Sequence, residues 1–384
     1  MARERRVFRH RTRVAVLGAG NWGTTFAKIL ADGGADVMLW ARRSELAAEI
    51  QHEHRNSAYL PGVDLPHSLR ATSRLDLALA GAEHVFVSVP SQALRENLVA
   101  AQPHLGSRAT VVSLMKGVEK STGLRMSEVI SEVLRLPPEQ IAVISGPNLA
   151  LEIAKEQPTA AVVSSSSLET AQAVARIATN PYFRSFVNTD VIGTEFGGVL
   201  KNLIAVAIGI VDGVGYGENT KASIITRGLV EMTDFAVASG AQAETLSGLA
   251  GLGDLIATCQ SPLSRNNTAG RLLGQGYRLA DVVKQMQQTM NALNGLSERL
   301  QELSVKQTET MQTLAQTTGN AQEGLNASMQ NAAESLHGYF KALETGVDSL
   351  NDVLGQLGEK QVVIQTTAQP ARSGWSLFGR RNGH

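Results

Sequence analysis

The sequence predicts an α/β fold: a Rossmann-like doubly wound parallel sheet, then an all-helical second domain and a long helical, coiled-coil-like tail. Three observations carry this. Short apolar runs alternate with helix-length segments through the first half, and a glycine-rich turn follows the first run. The texture then changes twice, near Asn188 and near Asp281.

The strand candidates are Arg13–Gly18, Val37–Trp40, His84–Val89, Thr110–Leu114, Ile141–Ser145 and Ala160–Ser165. Several are continuously apolar, as strands covered on both faces require. Helix-length segments such as Thr24–Asp32 and Leu124–Leu134 lie between them, and strand–helix–strand alternation argues for a doubly wound sheet. After a flexible stretch over 1–12, this domain is expected over 13–188. A helical domain follows over 189–280, with helices at Ile192–Val211, Thr220–Ser239 and Gly253–Gln260 and a glycine-rich turn at Gly213–Gly217.

From Asp281 the chain is rich in Gln, Thr, Asn, Ser and Glu and has no proline until after Thr367. Apolar residues recur at three and four: Met286, Met290, Leu293, Leu296, Leu300 and Leu303, then Met311, Leu314, Leu325, Met329, Leu336, Leu343, Val347, Leu350, Leu354 and Leu357. That is the coiled-coil period, so 281–360 reads as a helical tail, with a break or bend expected at Thr317–Gly324. Residues 361–384 carry breaker residues and read as disordered; Trp375, Leu377 and Phe378 beside Arg380 and Arg381 suit a frayed end or a membrane-surface touch.

Composition excludes several classes. The 35 Lys and Arg balance the 35 Asp and Glu, which gives no bulk attraction to nucleic acid or anionic membrane. One cysteine, Cys259, allows no internal disulfide and fits a reducing, cytoplasmic setting, with a buried small hydrophobe as its plain role. The basic first residues precede no apolar signal segment, and the longest apolar stretch, Leu203–Val211, is about half of the ~20 residues a membrane span needs. No metal set is expected: the 8 histidines are scattered, and His52 and His54 read as surface residues.

The chemistry-bearing motifs start with Gly18-Ala19-Gly20-Asn21-Trp22-Gly23, a GxGxxG between a strand and a helix. The first glycine permits the turn, the second lets backbone approach a pyrophosphate, and the third lets helix pack on sheet. The second strand ends in Arg42 and Arg43, where an NAD site usually has an acid. Arginine there suits a 2′-phosphate or adenine stacking, against the plain reading of solvated charges. Hydride transfer to a carbonyl needs a proton donor and positive charge at the developing alkoxide. Lys201, in an apolar helix, is a buried acid/base or a snorkelling lysine; Lys116 follows a strand at the ligand-binding end of the sheet or is an ordinary loop lysine. Asp254 and Thr258 share a helix face, and Arg265-Asn266 at a helix start suits an anionic phosphate or a simple cap.

Taken together, VLGAGNWGTTFA, FVSVPSQ, SLMKGVE, AVISGPNLALEI, GTEFGGVLKNLIAVAIGIVDG, TRGLVEM, AGLGDLIATC and SRNNTAGRLLGQG resemble, in order and over about Arg13–Gly276, the bacterial NAD(P)-dependent glycerol-3-phosphate dehydrogenases. The resemblance implies reduction of dihydroxyacetone phosphate to sn-glycerol 3-phosphate for glycerophospholipid synthesis, with NAD or NADP. It makes Lys201 the acid/base, with Lys116 on the substrate carbonyl and cofactor. It further implies that Asp254 helps hold Lys201 and the substrate hydroxyls. Gly146, Asn148, Asn202 and Thr258 line the substrate site, and Ser264, Arg265 and Asn266 take the phosphate. Ala150, Arg265, Asn21 and Trp22 join the glycines and Arg42 and Arg43 around the cofactor. Many relatives have threonine at Asn148. Past Gly276 the family's cofactor-contacting glutamate motif has no counterpart, so the helical domain reads as truncated and joined to the tail near Ala280. A second reading, from a different class, is therefore a catalytically impaired dehydrogenase-derived head on an oligomerising or scaffold tail. A homo-oligomer is expected on either reading.

Overall fold

A computed structural model describes residues 11–261 and 264–358. It contains β1 (Arg13–Leu17), α1 (Asn21–Asp32), β2 (Asp36–Trp40), α2 (Ser44–Glu53), β3 (Arg70–Thr72), α3 (Leu75–Leu79), β4 (His84–Val87), α4 (Leu94–Ala101), β5 (Thr110–Ser113), α5 (Met126–Leu134) and β6 (Ile141–Ser145). Then come α6 (Ala150–Ala154), β7 (Thr159–Ser164), α7 (Leu168–Ala178) and β8 (Phe183–Asn188). The helical part is α8 (Val191–Val214), α9 (Glu218–Ala238), α10 (Ala243–Ser247), a π-turn at Leu249–Gly253, α11 (Asp254–Gln260), α12 (Arg265–Gly274) and α13 (Leu279–Gly358).

The strands form one sheet in the order β3-β2-β1-β4-β5-β6-β7-β8. β1 shows why the apolar runs are continuous. Val14 and Val16 join a core layer with Phe26, Leu30 and Val174 of α1 and α7, whereas Ala15 and Leu17 join the opposite layer with Leu94, Val129 and Ile130 of α4 and α5. Every β1 side chain from Val14 onward is therefore buried.

Three differences from the sequence reading have physical causes. The strand expected at 160–165 runs antiparallel to β6, because the residues between them hold only the five-residue α6 and not the longer crossover that parallel neighbours need. β3 is three residues long and mixed in character, so it lacked an apolar signature. β8 is an edge strand with only Phe183 buried and both Phe186 and Val187 facing solvent, and reads as loop in the sequence.

α8 is the central helix of the helical part. Ala205 and Ile208 pack with Met232 and Ala236 of α9, and with Leu246, Leu255 and Cys259. A β-carbon on Gly209 would lie 2.1 Å from the Asn267 carbonyl oxygen, and one on Gly274 2.2 Å from that of Ile210, so α8 and α12 touch backbone to backbone. By length and a mean hydropathy of 1.6, α8 could cross a membrane; here it is instead packed in this core and carries buried Glu195 and Lys201.

The chain divides into two compact units, one ending at Leu303 and the other starting at Ser304. In the first, Val282 of α13 is buried. In the second, α13 continues as regular helix through Thr317–Gly324, which corrects the expected break. There the Thr317 and Thr318 hydroxyls donate to the carbonyls of Thr313 and Leu314, each at 2.8 Å, so polar β-branched residues are accommodated within the helix. Met311, Leu314, Leu325, Met329, Leu336, Leu343 and Val347 are all exposed. The start expected to be flexible (1–12), but for residues 11 and 12, and the end expected to be disordered (361–384) lie outside the described residues, as do the side chains of Met290, Leu293, Leu296, Leu300, Leu350, Leu354 and Leu357.

Candidate active site

The glycine turn lies at the C-terminal end of β1. Gly18 has φ +111°, and a β-carbon there would meet the Ser88 carbonyl oxygen at 2.3 Å. A β-carbon on Gly23 would lie 1.9 Å from the Gly18 carbonyl oxygen, so only glycine allows α1 to start this close to the strand. A β-carbon on Gly20 would meet nothing within 4 Å, and α1 begins without a side-chain cap. Open space before free helix N–H groups is what a pyrophosphate requires, so this turn fits a dinucleotide. Asn21 is exposed, and Trp22 packs its ring 5.5 Å from Phe26. The Thr25 hydroxyl donates to the Ala150 carbonyl at 3.3 Å, which brings the start of α6 to α1. Arg42 and Arg43 are exposed beyond β2, and the Arg43 guanidinium lies 5.8 Å from the Tyr59 ring centre.

The two lysines converge. The Lys116 ammonium, on the loop after β5, donates to the Gly146 carbonyl at 2.9 Å and to Asp254 Oδ2 at 2.6 Å. Lys201 of α8 donates to Asp254 Oδ1 and, at 2.7 Å, to Thr258 Oγ1. One buried carboxylate at the start of α11 thus bridges two ammonium groups. The glycines before Lys201 make room for this: a β-carbon on Gly197 would meet the Ala250 carbonyl at 2.4 Å, and one on Gly198 the Lys116 stem at 3.1 Å. Lys201 is not a snorkelling lysine; it is 6 % exposed. Burial pushes its ammonium down to about 8, the Lys116 charge pushes the same way, and Asp254 opposes both. An amine near 8 can give and take a proton close to neutrality, beside a second cation able to stabilise an oxyanion. Burial also pushes the Cys259 thiol up to about 11, in keeping with a core cysteine.

A cavity of about 370 Å³ opens beside Lys201, lined by Asn202, Thr258, Ser264, Arg265 and Asn266 together with Leu149 and Met286. Asn266 Nδ2 donates to Asn202 Oδ1 at 2.8 Å, and Ser264 Oγ caps α12 by accepting from the Asn267 N–H at 3.2 Å. An exposed guanidinium and a helix N-terminus at one end of a lysine-lined cavity suit a phosphate. Half-buried Asn148 leaves both of its buried amide atoms without a partner, and Ser145 its hydroxyl, which marks unfilled polar capacity next to the cluster.

The structure therefore gathers Lys116, Gly146, Lys201, Asp254 and Thr258 into one cluster, and Asn202, Ser264, Arg265 and Asn266 around the adjoining cavity. It leaves Arg42 and Arg43 on the surface after β2. His54 is a correction: it is half-buried, its ring 4.3 Å from that of His67 and its Nδ1 unpartnered. Among the described residues, no group of three or more His, Cys, Asp or Glu could hold a metal ion. Leu149 and Met286 were missed as apolar residues without a chemical signature. Gly197 and Gly198, two small residues just before a buried lysine, were a legible signal.

The model for the N-terminus of NAD-dependent glycerol-3-phosphate dehydrogenases matches residues 13–171, and the model for their C-terminus matches 190–329. The chain is 77 % identical over 278 residues to the glycerol-3-phosphate dehydrogenase (NAD(P)+) of Leifsonia xyli, covering 72 % of this chain and 75 % of that one. It is 53 % identical to the enzyme of the same name from Thermobifida fusca, over 72 % of this chain and 83 % of that one. Among solved structures it resembles glycerol-3-phosphate dehydrogenase from Coxiella burnetii, with a TM-score of 0.68 and 36 % identity over 78 % of this chain and 90 % of that one. The Plasmodium falciparum enzyme gives 0.66 and 27 % over 71 % and 80 %.

Proposed function

The chain belongs to the NAD(P)-dependent glycerol-3-phosphate dehydrogenase family, and from that premise we propose that its Lys201 ammonium is the proton donor when dihydroxyacetone phosphate is reduced to sn-glycerol 3-phosphate. The chain is an oxidoreductase of phospholipid metabolism. The family match over both halves favours this over the scaffold reading, and the C-terminal match extends past the proposed join near Ala280. On the domain reading, 13–188 holds the dinucleotide and 189–280 the substrate.

The observation that carries the proposal is the Asp254 carboxylate holding Lys201 and Lys116 together beside the Ser264–Asn266 cavity wall. The bound dinucleotide supplies the hydride. Gly18, Gly20, Asn21 and Gly23 receive its pyrophosphate at the start of α1, with Trp22 and Ala150 alongside. Arg265, Ser264 and Asn266 hold the substrate phosphate, and Gly146, Asn148 and Asn202 orient the three-carbon unit. Lys116 polarises the carbonyl, and Lys201 gives its proton to the oxygen as negative charge develops there. Thr258 and Asp254 then hold the amine in place until it is reprotonated from water.

Arg42 and Arg43, with no acid in their place, favour tolerance of a 2′-phosphate and so use of NADPH beside NADH. The exposed apolar stripe of α13 supports a homo-oligomer formed through the tail. A cytoplasmic enzyme fits these properties. The direct test is a steady-state assay of the full chain with dihydroxyacetone phosphate and each reduced cofactor. Turnover with both is expected; cofactor binding without turnover would reject the assignment.

A further inference from the structure

The loop that carries Lys116 ends at Arg125, and the helix that carries Lys201 holds Glu195 six residues earlier. These two ends meet. Arg125 Nη1 donates to Glu195 Oε2 at 2.6 Å, the Ser127 backbone N–H donates to Oε1 at 2.9 Å, and the Ser127 hydroxyl donates to Oε2 at 2.6 Å. The Glu195 side chain is 2 % exposed and that of Arg125 14 %. The same loop is also fastened at its middle, where Arg95 forks onto Glu119 at 2.9 Å through both nitrogens and the Thr122 hydroxyl donates to Glu119 at 2.7 Å.

We infer that Glu195, through Arg125 and Ser127, is a positioning residue for the reaction: it locks the Lys116 loop to the Lys201 helix and so fixes the separation of the two ammonium groups. A buried ion pair is a poor source of net stability, since desolvation offsets its attraction and an apolar pair of equal volume does as well. What such a pair supplies is one allowed register. Here the register matters because Lys116 and Lys201 share one carboxylate, and the nearness of Lys116 helps hold the Lys201 amine low. Burial raises Glu195 above the usual carboxylate range against the pull of Arg125, so the position carries a cost for which a wholly apolar contact would have no counterpart.

The inference rests on Lys201 being the proton donor. The groups facing that ammonium are Asp254 and the Cys259 thiol from α11 and Lys116 from the loop, with Arg265 lining the same cavity from α12. If the loop loosens, Lys116 withdraws and Lys201 titrates higher.

The test is the pH dependence of kcat for ketone reduction in Glu195→Gln, which keeps volume and an acceptor for Ser127 but loses the charge. The expected result is a kcat at least about tenfold lower, with unchanged NAD(P)H affinity and an alkaline limb displaced upward by half a unit or more. Arg125→Lys, which shortens the fork, should move the limb the same way. A folded Glu195→Gln with the wild-type limb and kcat overturns the inference. So does failure of both variants to fold, which would assign the pair to stability alone. If the wild type itself shows no alkaline limb, the assignment of Lys201 fails instead, and the two failures are told apart.

Discussion

Asp254→Asn removes the negative charge between two ammonium groups without changing side-chain size, and its effects on rate and stability share one sign argument. Asp254 is 2 % exposed and is the group that raises the Lys201 ammonium against burial and the Lys116 charge. Without it, both remaining influences push the same way, so Lys201 should titrate below the wild-type value of about 8. Reduction needs the protonated amine, so kcat falls as pH rises through that value. In the variant the fall should occur below neutrality and cost about tenfold or more in kcat at pH 7.5. Stability follows by linkage. In the wild type the Lys201 ammonium is disfavoured on folding, so stability should rise between about 8 and the ordinary lysine value of 10.5 as the unfolded chain retains the extra proton. At about 1.4 kcal/mol per unit this amounts to roughly 3 kcal/mol. In the variant the gap is wider, and loss of a buried partner costs a further ~3 kcal/mol at pH 7. Urea unfolding at several pH values and a pH–kcat profile measure both. An alkaline limb at or above that of the wild type, with unchanged stability at pH 7, would refute the reasoning.

Gly20→Ala should leave the fold intact, because a β-carbon there would meet no protein atom within 4 Å, yet raise the NAD(P)H dissociation constant at least about thirtyfold, some 2 kcal/mol by fluorescence titration. Wild-type affinity would place the pyrophosphate elsewhere. Arg265→Ala should raise KM for dihydroxyacetone phosphate by one to two orders of magnitude, about 1.5–3 kcal/mol for a lost charged hydrogen bond, and far less for a ketone without phosphate. Equal losses for both ketones would argue against a phosphate contact. Leu325→Glu with Leu336→Glu in the full chain should lower the mass found by sedimentation while sparing kcat, since both side chains are exposed in the second unit. An unchanged mass would remove the tail from any role in assembly.

Residues with a strong chemical or periodic signature were legible in the sequence. The continuously apolar strands, the glycine turn and the long helices are each dictated locally, and six of the eight strands could be placed from composition alone. β3 and β8 could not, since one is short and the other a solvent-facing edge whose pairing comes from its neighbour. The antiparallel turn of β7 depended on the length of a connection rather than on the strand. Within the site, a charge in an apolar helix marked Lys201, but its partner lies on another helix 53 residues later, and nothing local says that Asp254 also takes Lys116. Glu195 was invisible for the same reason. Its purpose lies 70 residues away at Arg125, and its own neighbourhood reads as ordinary helix. Met286 lines the cavity because the first turns of α13 belong to the first unit, a tertiary fact that its heptad spacing concealed.

The central claim is that the Lys201 amine delivers the proton, and single-turnover reduction of dihydroxyacetone phosphate by Lys201→Ala, loaded with NAD(P)H, tests it most directly. The expected result is full cofactor binding with hydride transfer slowed about a thousandfold, within the 10²–10⁴-fold range typical of a general acid. Hydride transfer at the wild-type rate, with the wild-type pH dependence, would contradict it.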